Sequence, residues 1–274
     1  MQFFLLGPLE VRPTGGRRLP LGSQLQRRML AALMLQANRI VDTDRLIDLL
    51  WGERPPRTAR AGLQGRVAHL RRVLAPTGPD RLTFRSPGYV LRIEAGELDV
   101  NEFWRLLYQG RQLLAAGKAA QAGQALQEAS QLWRGPALQG VDGHDSEVAR
   151  LESARLSALE ARIEADLRLG EVSGWVAELE GLVAAELLRE QLHFQLMLAL
   201  YQSGRPADAL AVFRRFRAGL VDELGIEPGP QLQELHRRML AADPALAPCV
   251  RSVNHASSVQ VVSAHCSFRR RLMI

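Results

Sequence analysis

Cysteine is scarce in this chain of 274 residues, and long apolar runs are absent. The two cysteines, Cys249 and Cys266, lie near one end and have neither the count nor the spacing of a disulfide framework or a zinc site. No apolar stretch reaches the roughly 18 residues of a membrane helix. The opening MQFFLLGPLEV lacks the basic region and the cleavage site of a signal peptide. We therefore expect a cytoplasmic protein with no membrane contact.

Motifs of catalysis and of cofactor binding are also missing. The sequence contains no GxxxxGK[ST], no HExxH and no GxSxG, and its six histidines are not spaced as metal ligands. His193 and His236 lie within helical apolar patterns, which is typical of structural histidines. We therefore expect neither an enzyme, nor a metal site, nor a cofactor.

Lysine occurs once, at Lys118, among 35 basic residues, and the charge is unevenly distributed along the chain. Residues 1–96 carry 16 basic and 7 acidic residues, a formal charge of +9. Residues 97–243 carry 15 basic and 22 acidic residues, a charge of −7, and residues 244–274 carry +4. This segregation indicates that the first block faces a polyanion and that the second does not.

Short extended runs and three helices make up the pattern of the first block. Runs at 2–6, 9–12 and 18–21, separated by Gly and Pro, predict a small antiparallel sheet. Ser23 is the predicted N-cap of a first helix, and Asp42 or Thr43 that of a second helix ending at Gly52. A third helix is predicted over 58–74, and a hairpin over 82–85 and 89–93 around Ser86-Pro87-Gly88.

The third helix is amphipathic in an unusual way. Leu63, Val67, Leu70 and Leu74 recur at helical spacing and predict a buried stripe. The opposite crest consists of Ala61, Gly65, Ala68 and Arg72, with Gly62 and His69 beside it. Because each interior glycine costs a helix roughly 1 kcal/mol relative to alanine, Gly62 and Gly65 call for a reason outside helix propensity. Our hypothesis is that they let the helix backbone approach a groove floor.

A sheet, three helices and a closing hairpin are typical of a winged helix-turn-helix. The strings LLGPLEV, VDTDRLIDLLWG, LQGRVAHLRRVL and SPGYVLRI resemble the OmpR/PhoB-type DNA-binding domain of the Streptomyces antibiotic regulatory protein (SARP) family. The resemblance implies that the third helix enters the major groove and that the hairpin contacts the adjacent minor groove or its backbone. Gly62 and Gly65 depart from the larger or polar residues usual in the family, so base preference does not transfer.

Side-chain chemistry suggests roles on the third helix and the hairpin. The candidates for contacts with base edges are Gln64, Arg66 and His69. The candidates for contacts with phosphates and the DNA backbone are Arg57, Thr58, Arg60, Arg71, Arg72, Thr83, Arg85 and Tyr89. The alternative to DNA binding is that the basic residues of this helix only face solvent. The preceding helix and turn, the following hairpin and the charge of +9 on residues 1–96 disfavour this alternative.

Helices separated by glycine turns fill the second block. Three helical hairpins are predicted, and Gly170 and Gly204 lie 34 residues apart, the tetratricopeptide period. An insertion containing WRGPALQGVDGHDSE lengthens the first interval. LWRGPAL, LMLALYQSGRPADALAVFRRFR and LVDELGIEPGPQLQELHRRML resemble the bacterial transcriptional activation domain of the same family. Missing nucleotide-switch and receiver motifs point to the small type of the family.

The predicted architecture is an α+β winged helix-turn-helix domain over 1–96, an all-α tetratricopeptide-like helical repeat domain over 97–243, and a disordered tail over 244–274. The resemblance implies an activator that binds tandem direct repeats near the −35 element as a homodimer, contacts the RNA polymerase holoenzyme and controls secondary-metabolite (antibiotic) genes. Such a protein would be nucleoid-associated. The alternatives are a repressor, and a repeat-based adaptor or sensor whose winged helix docks a protein.

Overall fold

The computed structural model describes residues 2–75 and 80–247. It confirms the predicted fold class, because a small α/β region with a winged helix precedes an all-helical region. The elements of the first region are β1 (Gln2–Phe4), β2 (Glu10–Arg12), α1 (Gln24–Leu35), β3 (Val41–Asp42), α2 (Thr43–Trp51), α3 (Ala59–Leu74), β4 (Leu82–Arg85) and β5 (Gly88–Leu91). Those of the second are α4 (Asp99–Ala115), α5 (Ala119–Gln131), α6 (Asp145–Arg168), α7 (Trp175–Ala185), α8 (Glu190–Gln202), α9 (Pro206–Leu224) and α10 (Pro230–Leu240).

The N-terminal sheet has two strands, so the predicted third strand at 18–21 is wrong. β1 and β2 pair antiparallel with Phe3 opposite Val11. In the segment predicted as the third strand, Leu19 N–H donates to Val11 O at 2.9 Å. The ladder cannot continue from there, because Pro20 has no N–H to donate.

A second sheet closes the winged helix in the order β3-β5-β4. Its central strand β5 pairs with β4 along the predicted hairpin, and with the two residues of β3, which the sequence analysis did not predict. Gly88 faces Asp42 in this pairing, and a Cβ at Gly88 would lie 1.9 Å from Val41 O. Only glycine therefore allows the wing to approach the start of α2 so closely.

The first two helices begin where the sequence predicts. Ser23 is the N-cap of α1, and its N–H donates to Gln26 Oε1 at 2.6 Å. Asp42, the first of the two predicted caps, accepts a hydrogen bond at 2.8 Å from Asp44 N–H at the start of α2. The apolar faces of α1, α2 and α3 meet in a core whose fully buried side chains include Met29, Leu30, Leu33, Met34, Leu46, Leu63 and Leu70.

The all-helical region contains the three predicted hairpins, α4 with α5, α6 with α7, and α8 with α9. Gly117, Gly170 and Gly204 lie in the turn after the first helix of each pair and have φ of +72°, +75° and +77°. These left-handed conformations end the helices and favour glycine. α10, which follows α9, packs against α8 and α9.

Contacts divide the chain into two compact units. One comprises Met1–Gly110 with Ala125–Leu159, and the other comprises Arg111–Gln124 with the chain from Glu160 onward. The first unit therefore includes parts of α4, α5 and α6, together with the loop that joins α5 to α6. This loop corresponds to the insertion noted in the sequence.

Within the first unit, the loop between α5 and α6 continues the backbone pairing of the N-terminal segment. Leu138 N–H donates to Leu5 O at 2.8 Å, and Gln139 N–H donates to Gly7 O at 3.0 Å. Arg134 N–H donates to Leu6 O at 2.8 Å. Residues more than 120 positions apart thus share one hydrogen-bonded layer.

A buried carboxylate joins the same N-terminal segment to α4. Asp99 is 7% exposed, and its carboxylate accepts hydrogen bonds from the N–H groups of Leu5 and Leu6, each at 2.9 Å. It also accepts a bond from Val100 N–H at 2.8 Å. Burial raises the pKa of Asp99 to about 6, against the opposing effect of these hydrogen bonds and of the charge on Arg134.

The predicted tail began at residue 244, but Pro244–Leu246 forms a short 3₁₀ helix that packs against α8, and Leu246 is buried. The rest of the predicted tail, residues 248–274, lies outside the described residues. Over the described ranges, no helix combines the length and the apolar character needed to cross a bilayer.

Candidate nucleic-acid interface

α2, a short turn and α3 form the helix-turn-helix. α2 ends at Gly52, whose φ is +65°, and Pro55 and Pro56 follow before α3 begins. α3 buries the predicted stripe of Leu63, Val67, Leu70 and Leu74. The residues that it exposes are Arg60, Ala61, Gln64, Gly65, Ala68, Arg71 and Arg72. The face opposite the core is therefore a crest of small side chains with arginines along it.

The two glycines of α3 differ in their surroundings. A Cβ at Gly62 would lie 3.2 Å from Trp51 Cζ2 and 3.3 Å from Arg66 Nη1, closer than most such contacts. Among the described residues, a Cβ at Gly65 would have no neighbouring atom within 4 Å. Packing against α2 accounts for Gly62. The described part of the chain supplies no steric reason for Gly65.

Arg66, a predicted base-edge residue, is turned back onto its own helix. Its Nη1 donates to Gly62 O at 3.0 Å, and its guanidinium lies 5.0 Å from the ring centroid of Trp51, a cation–π distance. The Nε atom is buried and has no hydrogen-bond partner among the described residues. In this conformation Arg66 supports the packing between α2 and α3.

The other two base-edge candidates lie in different environments. Gln64 is exposed on the crest next to Gly65. His69 is half-buried, and its Nε2 is buried without a hydrogen-bond partner in the described part of the chain. A Cβ at Gly22 would lie 3.1 Å from that nitrogen, so His69 packs beside the segment before α1. Of the three candidates, Gln64 is the one with an open path to a ligand.

The candidates for phosphate contacts on α3 and in the turn before it are exposed. These are Arg57, Thr58, Arg60, Arg71 and Arg72. Arg60 Nη2 lies 3.1 Å from Asp44 Oδ1, but both side chains are more than 70% exposed, so this ion pair is weak. Arg71 Nε donates to Leu82 O at 2.8 Å, which connects α3 to the wing. Arg57 and Arg72 extend the basic surface at the two ends of the helix.

The predicted residues of the wing divide into exposed and buried ones. Arg85 is exposed at the tip, Thr83 is half-buried, and Tyr89 is 7% exposed. The Tyr89 ring packs edge-on against Phe84, with the centroids 5.3 Å apart. Phe84 is 56% exposed, which the alternation of β4 did not indicate, because Phe84 shares a face with the buried Leu82. An apolar ring therefore lies next to Arg85 on the wing surface.

Two contacts that sequence reasoning missed hold the wing in place. Thr43 Oγ1 donates to Pro87 O at 2.7 Å, so the start of α2 binds the turn of the wing. Arg81 Nη2 donates to Glu97 Oε1 at 2.9 Å, and this hydrogen bond holds the pKa of Glu97 below its ordinary value. The side chains of Arg81 and Glu97 are 15% and 13% exposed, so this ion pair is far more buried than that of Arg60 with Asp44. The alternation of strands and helices carries no signal for either contact.

Comparisons with known proteins assign both regions of the chain to described families. Residues 16–91 match the family described as "Transcriptional regulatory protein, C terminal", and residues 98–240 match the "Bacterial transcriptional activator domain". The chain belongs to the Streptomyces antibiotic regulatory protein family. The two family matches confirm the resemblance noted in the sequence, and both families are described as transcriptional regulators.

The relatives of this SARP chain differ in length. It is 39% identical over 259 residues to the regulatory protein DnrI of Streptomyces peucetius and covers 94% of that protein. It is 43% identical over 250 residues to the regulatory protein AfsR of Streptomyces coelicolor, but spans only 25% of its length. A solved structure of Mycobacterium tuberculosis EmbR in complex with a low-affinity phosphopeptide aligns with a TM-score of 0.83 and 38% identity, over 89% of this chain and 65% of that one.

Proposed function

We propose that this protein is a sequence-specific transcriptional activator. The crest of α3 reads the bases of promoter DNA, and the wing contacts the adjacent minor groove or its backbone. Protomers bind side by side on direct repeats near the −35 element, and the helical region contacts the RNA polymerase holoenzyme. The genes that it controls belong to a secondary-metabolite pathway, as the antibiotic regulators among its relatives suggest. Its place in the cell is then the cytoplasm, on the nucleoid.

The observation that carries this proposal is the open position of Gly65. Packing within residues 2–75 and 80–247 does not require a glycine there, because a Cβ would meet none of their atoms within 4 Å. Alanine would favour the helix by roughly 1 kcal/mol. A missing side chain at an exposed, central position is of use when another surface comes close to the helix backbone. The floor of a major groove, which admits an α-helix, is such a surface.

The side chains around Gly65 suggest how bases are read. Ala61 and Ala68 are exposed on the same crest, and small apolar groups of this kind contact thymine methyl groups. Gln64 can pair with adenine through two hydrogen bonds. Arg66 would reach a base only after leaving Trp51 and the carbonyl of Gly62, so we assign it to the support of α3 in the free protein.

Exposed arginines provide the affinity that is independent of sequence. Arg57 and Arg60 lie near the N-terminal end of α3, Arg72 lies on the crest near its C-terminal end, and Arg85 extends the basic surface to the wing. If these four neutralise four phosphates, the logarithm of the association constant falls with the logarithm of salt concentration at a slope of about −3.6 per protomer. The acidic second block, with its charge of −7, would be repelled from the same DNA.

Footprinting on the promoters next to its own gene, followed by transcription in vitro with purified holoenzyme, tests the proposal. We expect protection of direct repeats spaced by about one helical turn, and more transcript when the protein is added. Protection with less transcript would make the protein a repressor. A promoter set with no protected repeat at any salt concentration would favour the adaptor and contradict the proposal.

A further inference from the structure

A groove of about 500 Å³ lies between α7 and α9, with α8 beneath it. Its floor is formed by His193 and Leu196 of α8, which are both buried. One wall is a row of α9 side chains that recurs at every fourth residue, Val212, Phe216 and Leu220. Because residues four apart lie on the same face of a helix, this row runs along α9 for about two turns. The groove is therefore elongated along α9 and largely apolar.

Two neighbouring leucines extend the apolar surface beside the groove. Leu187 and Leu188 line it in the connection from α7 to α8 and are 61% and 53% exposed. Their connection is held on the floor, because His193 Nε2 donates to Leu187 O at 2.9 Å and the His193 ring stacks on Phe216 with centroids 3.9 Å apart. A contiguous apolar surface of this kind, on a fixed support, is typical of a binding site.

The rim of the groove is acidic. The glutamates exposed on it are Glu180, Glu186 and Glu223. Two arginines lie among the same lining residues, Arg189 and Arg215. Arg189 is already paired with Glu160, with its Nε atom 2.6 Å from Glu160 Oε1. Three glutamates and one further arginine leave the rim with a net negative charge.

The dimensions of the groove suit the side chains on one face of an α-helix. Its lining residues on α9 run from Val212 to Glu223, which is about 17 Å at a rise of about 1.5 Å per residue. A partner helix of about three turns has the same length. The volume is that of a pocket for a small ligand, so it admits a row of side chains but not a helix backbone. Apolar side chains at positions i, i+3, i+4 and i+7 of an amphipathic helix form such a row.

The charge of the rim distinguishes between possible occupants. A second copy of this chain would bring an identical acidic rim against this one, and like charges across an interface oppose binding. A helix that carries arginine or lysine on both sides of its apolar face would instead place opposite charges next to the glutamates. The chemistry of the rim therefore favours a basic partner over self-association.

We propose that the groove between α7, α8 and α9 is a docking site for a basic amphipathic helix of another protein. The apolar side chains of that helix lie over Leu196 and pack against Leu187 and Leu188. Its arginines or lysines pair with Glu180 on one wall and with Glu223 on the other. The site shares no residue with the proposed DNA contacts, and its occupation does not depend on DNA.

A designed peptide tests the proposal with the full chain in the absence of DNA. The probe is a fluorescein-labelled peptide of about 18 residues, with leucine at helical spacing and arginine on both sides of the leucine face. One control peptide has the same composition in an order that gives no apolar face, and another has glutamate in place of arginine. By fluorescence anisotropy, we expect the probe to bind about tenfold more tightly than either control.

Two glycines offer matched variants that block the groove or leave it open. Gly219 of α9 lines the groove, whereas Gly181 of α7 is not among its lining residues. Both glycines are exposed, and a Cβ at either would meet no atom of the described residues within 4 Å. Gly219→Trp places an indole in the groove and should weaken binding of the probe about tenfold, whereas Gly181→Trp should change it by less than about twofold.

Two neighbouring acidic residues of α9 test the role of charge. Glu223 lines the groove, whereas Asp222 is exposed and is not a lining residue. Glu223→Arg should weaken binding of the arginine probe about fivefold and strengthen binding of the glutamate control peptide. Asp222→Arg adds the same charge one residue away and should have a much smaller effect on both peptides.

Circular dichroism of each variant checks that it is folded. If Gly219→Trp unfolds the helical region, Leu188→Lys takes its place. Its control is Leu240→Lys at the end of α10, a leucine of similar exposure, 63% against 53%. In that comparison Leu188→Lys should weaken binding of the probe, and Leu240→Lys should not.

Three results would overturn the proposal. The first is a wild-type chain that does not bind the probe, which is also the result expected if another part of the chain fills the groove. The second is equal binding of the probe by folded Gly219→Trp and Gly181→Trp proteins. The third is a dimer in sedimentation equilibrium that Gly219→Trp dissociates, because the occupant would then be a second copy of this chain.

Discussion

The two compact units of this protein are built on different principles. The first joins segments that are far apart in sequence, since Leu5 and Leu6 are held by Asp99 and by the loop after α5. Neighbouring helices make up most of the second, and α8 packs on α7 and α9 through apolar faces. The first unit thus adds buried polar contacts between distant residues to its apolar core, whereas the second depends on repeated local packing.

The largest expected effect concerns Asp99. Asp99→Ala leaves the N–H groups of Leu5 and Leu6 without an acceptor in a buried place, and we expect a loss of about 4 kcal/mol in the free energy of unfolding of the first unit. The matched change is Asp166→Ala in the second unit, which removes the acceptor of the Trp175 indole N–H at 3.0 Å. There we expect about 1 kcal/mol. Urea unfolding with hydrogen exchange of the amides assigns each loss of stability to its unit. Equal losses for Asp99→Ala and Asp166→Ala would contradict the difference between the two units.

A pH dependence follows from the same carboxyl group. The pKa of Asp99 is raised from 3.8 to about 6 in the folded protein, so the folded state holds its proton more tightly than the unfolded state. Between these two values, rising pH therefore lowers the free energy of unfolding, by about 3 kcal/mol in total. Asp99→Asn should remove this decrease from pH 4 to pH 6. Urea unfolding of the wild type and of Asp99→Asn at several pH values measures this difference. If the free energy of unfolding depends on pH in the same way in both proteins, Asp99 is not the group responsible.

The two glycines of α3 allow a sharper test within one helix. Gly62→Ala brings a Cβ to 3.2 Å from Trp51, and we expect the crowding to offset the helix gain and lower stability by about 1 kcal/mol. Gly65→Ala should raise stability by about 1 kcal/mol. The same Gly65→Ala variant should bind promoter DNA about tenfold more weakly, because its methyl group enters the contact with the groove.

Thermal unfolding and DNA titration measure the two properties separately. A Gly65→Ala protein that gains stability and keeps wild-type DNA affinity would remove the functional reason for this glycine. A Gly62→Ala protein that gains stability would show that Trp51 moves aside easily.

The smallest effect concerns single charges in the two units. Arg57→Gln in the first unit should reduce the salt slope of DNA binding by about 0.9, the contribution of one phosphate contact. Arg214→Gln in the second unit, also exposed, should leave the slope unchanged. Fluorescence anisotropy over a range of salt concentrations measures both. A change with Arg214→Gln would place DNA contacts on the acidic block.

Regular patterns made most of the fold predictable. The stripe of Leu63, Val67, Leu70 and Leu74 located α3 and its buried face, and the glycine turns located the helical hairpins. The strand predicted at 18–21 is wrong, because after the hydrogen bond from Leu19 to Val11 the next residue, Pro20, has no N–H to continue the ladder. β3 was missed because two residues carry no periodicity, and its pairing depends on the close approach at Gly88.

The sequence did not predict the directions of side chains or the contacts between distant residues. The sequence placed Arg66 near the reading face, but stacking on Trp51 depends on the angle between α2 and α3. Asp99 is 94 residues from Leu5, and no local pattern connects them. The proposed DNA contacts and the domain boundary after residue 96 stay predictions.

The hydrogen bonds between 5–7 and 134–139 have a practical meaning for protein engineers. A chimaera that grafts a new DNA reader onto this regulator by exchanging residues 1–96 would cut through a shared layer. The donor should supply everything up to the start of α6, so that its own loop forms hydrogen bonds with its own residues at 5–7.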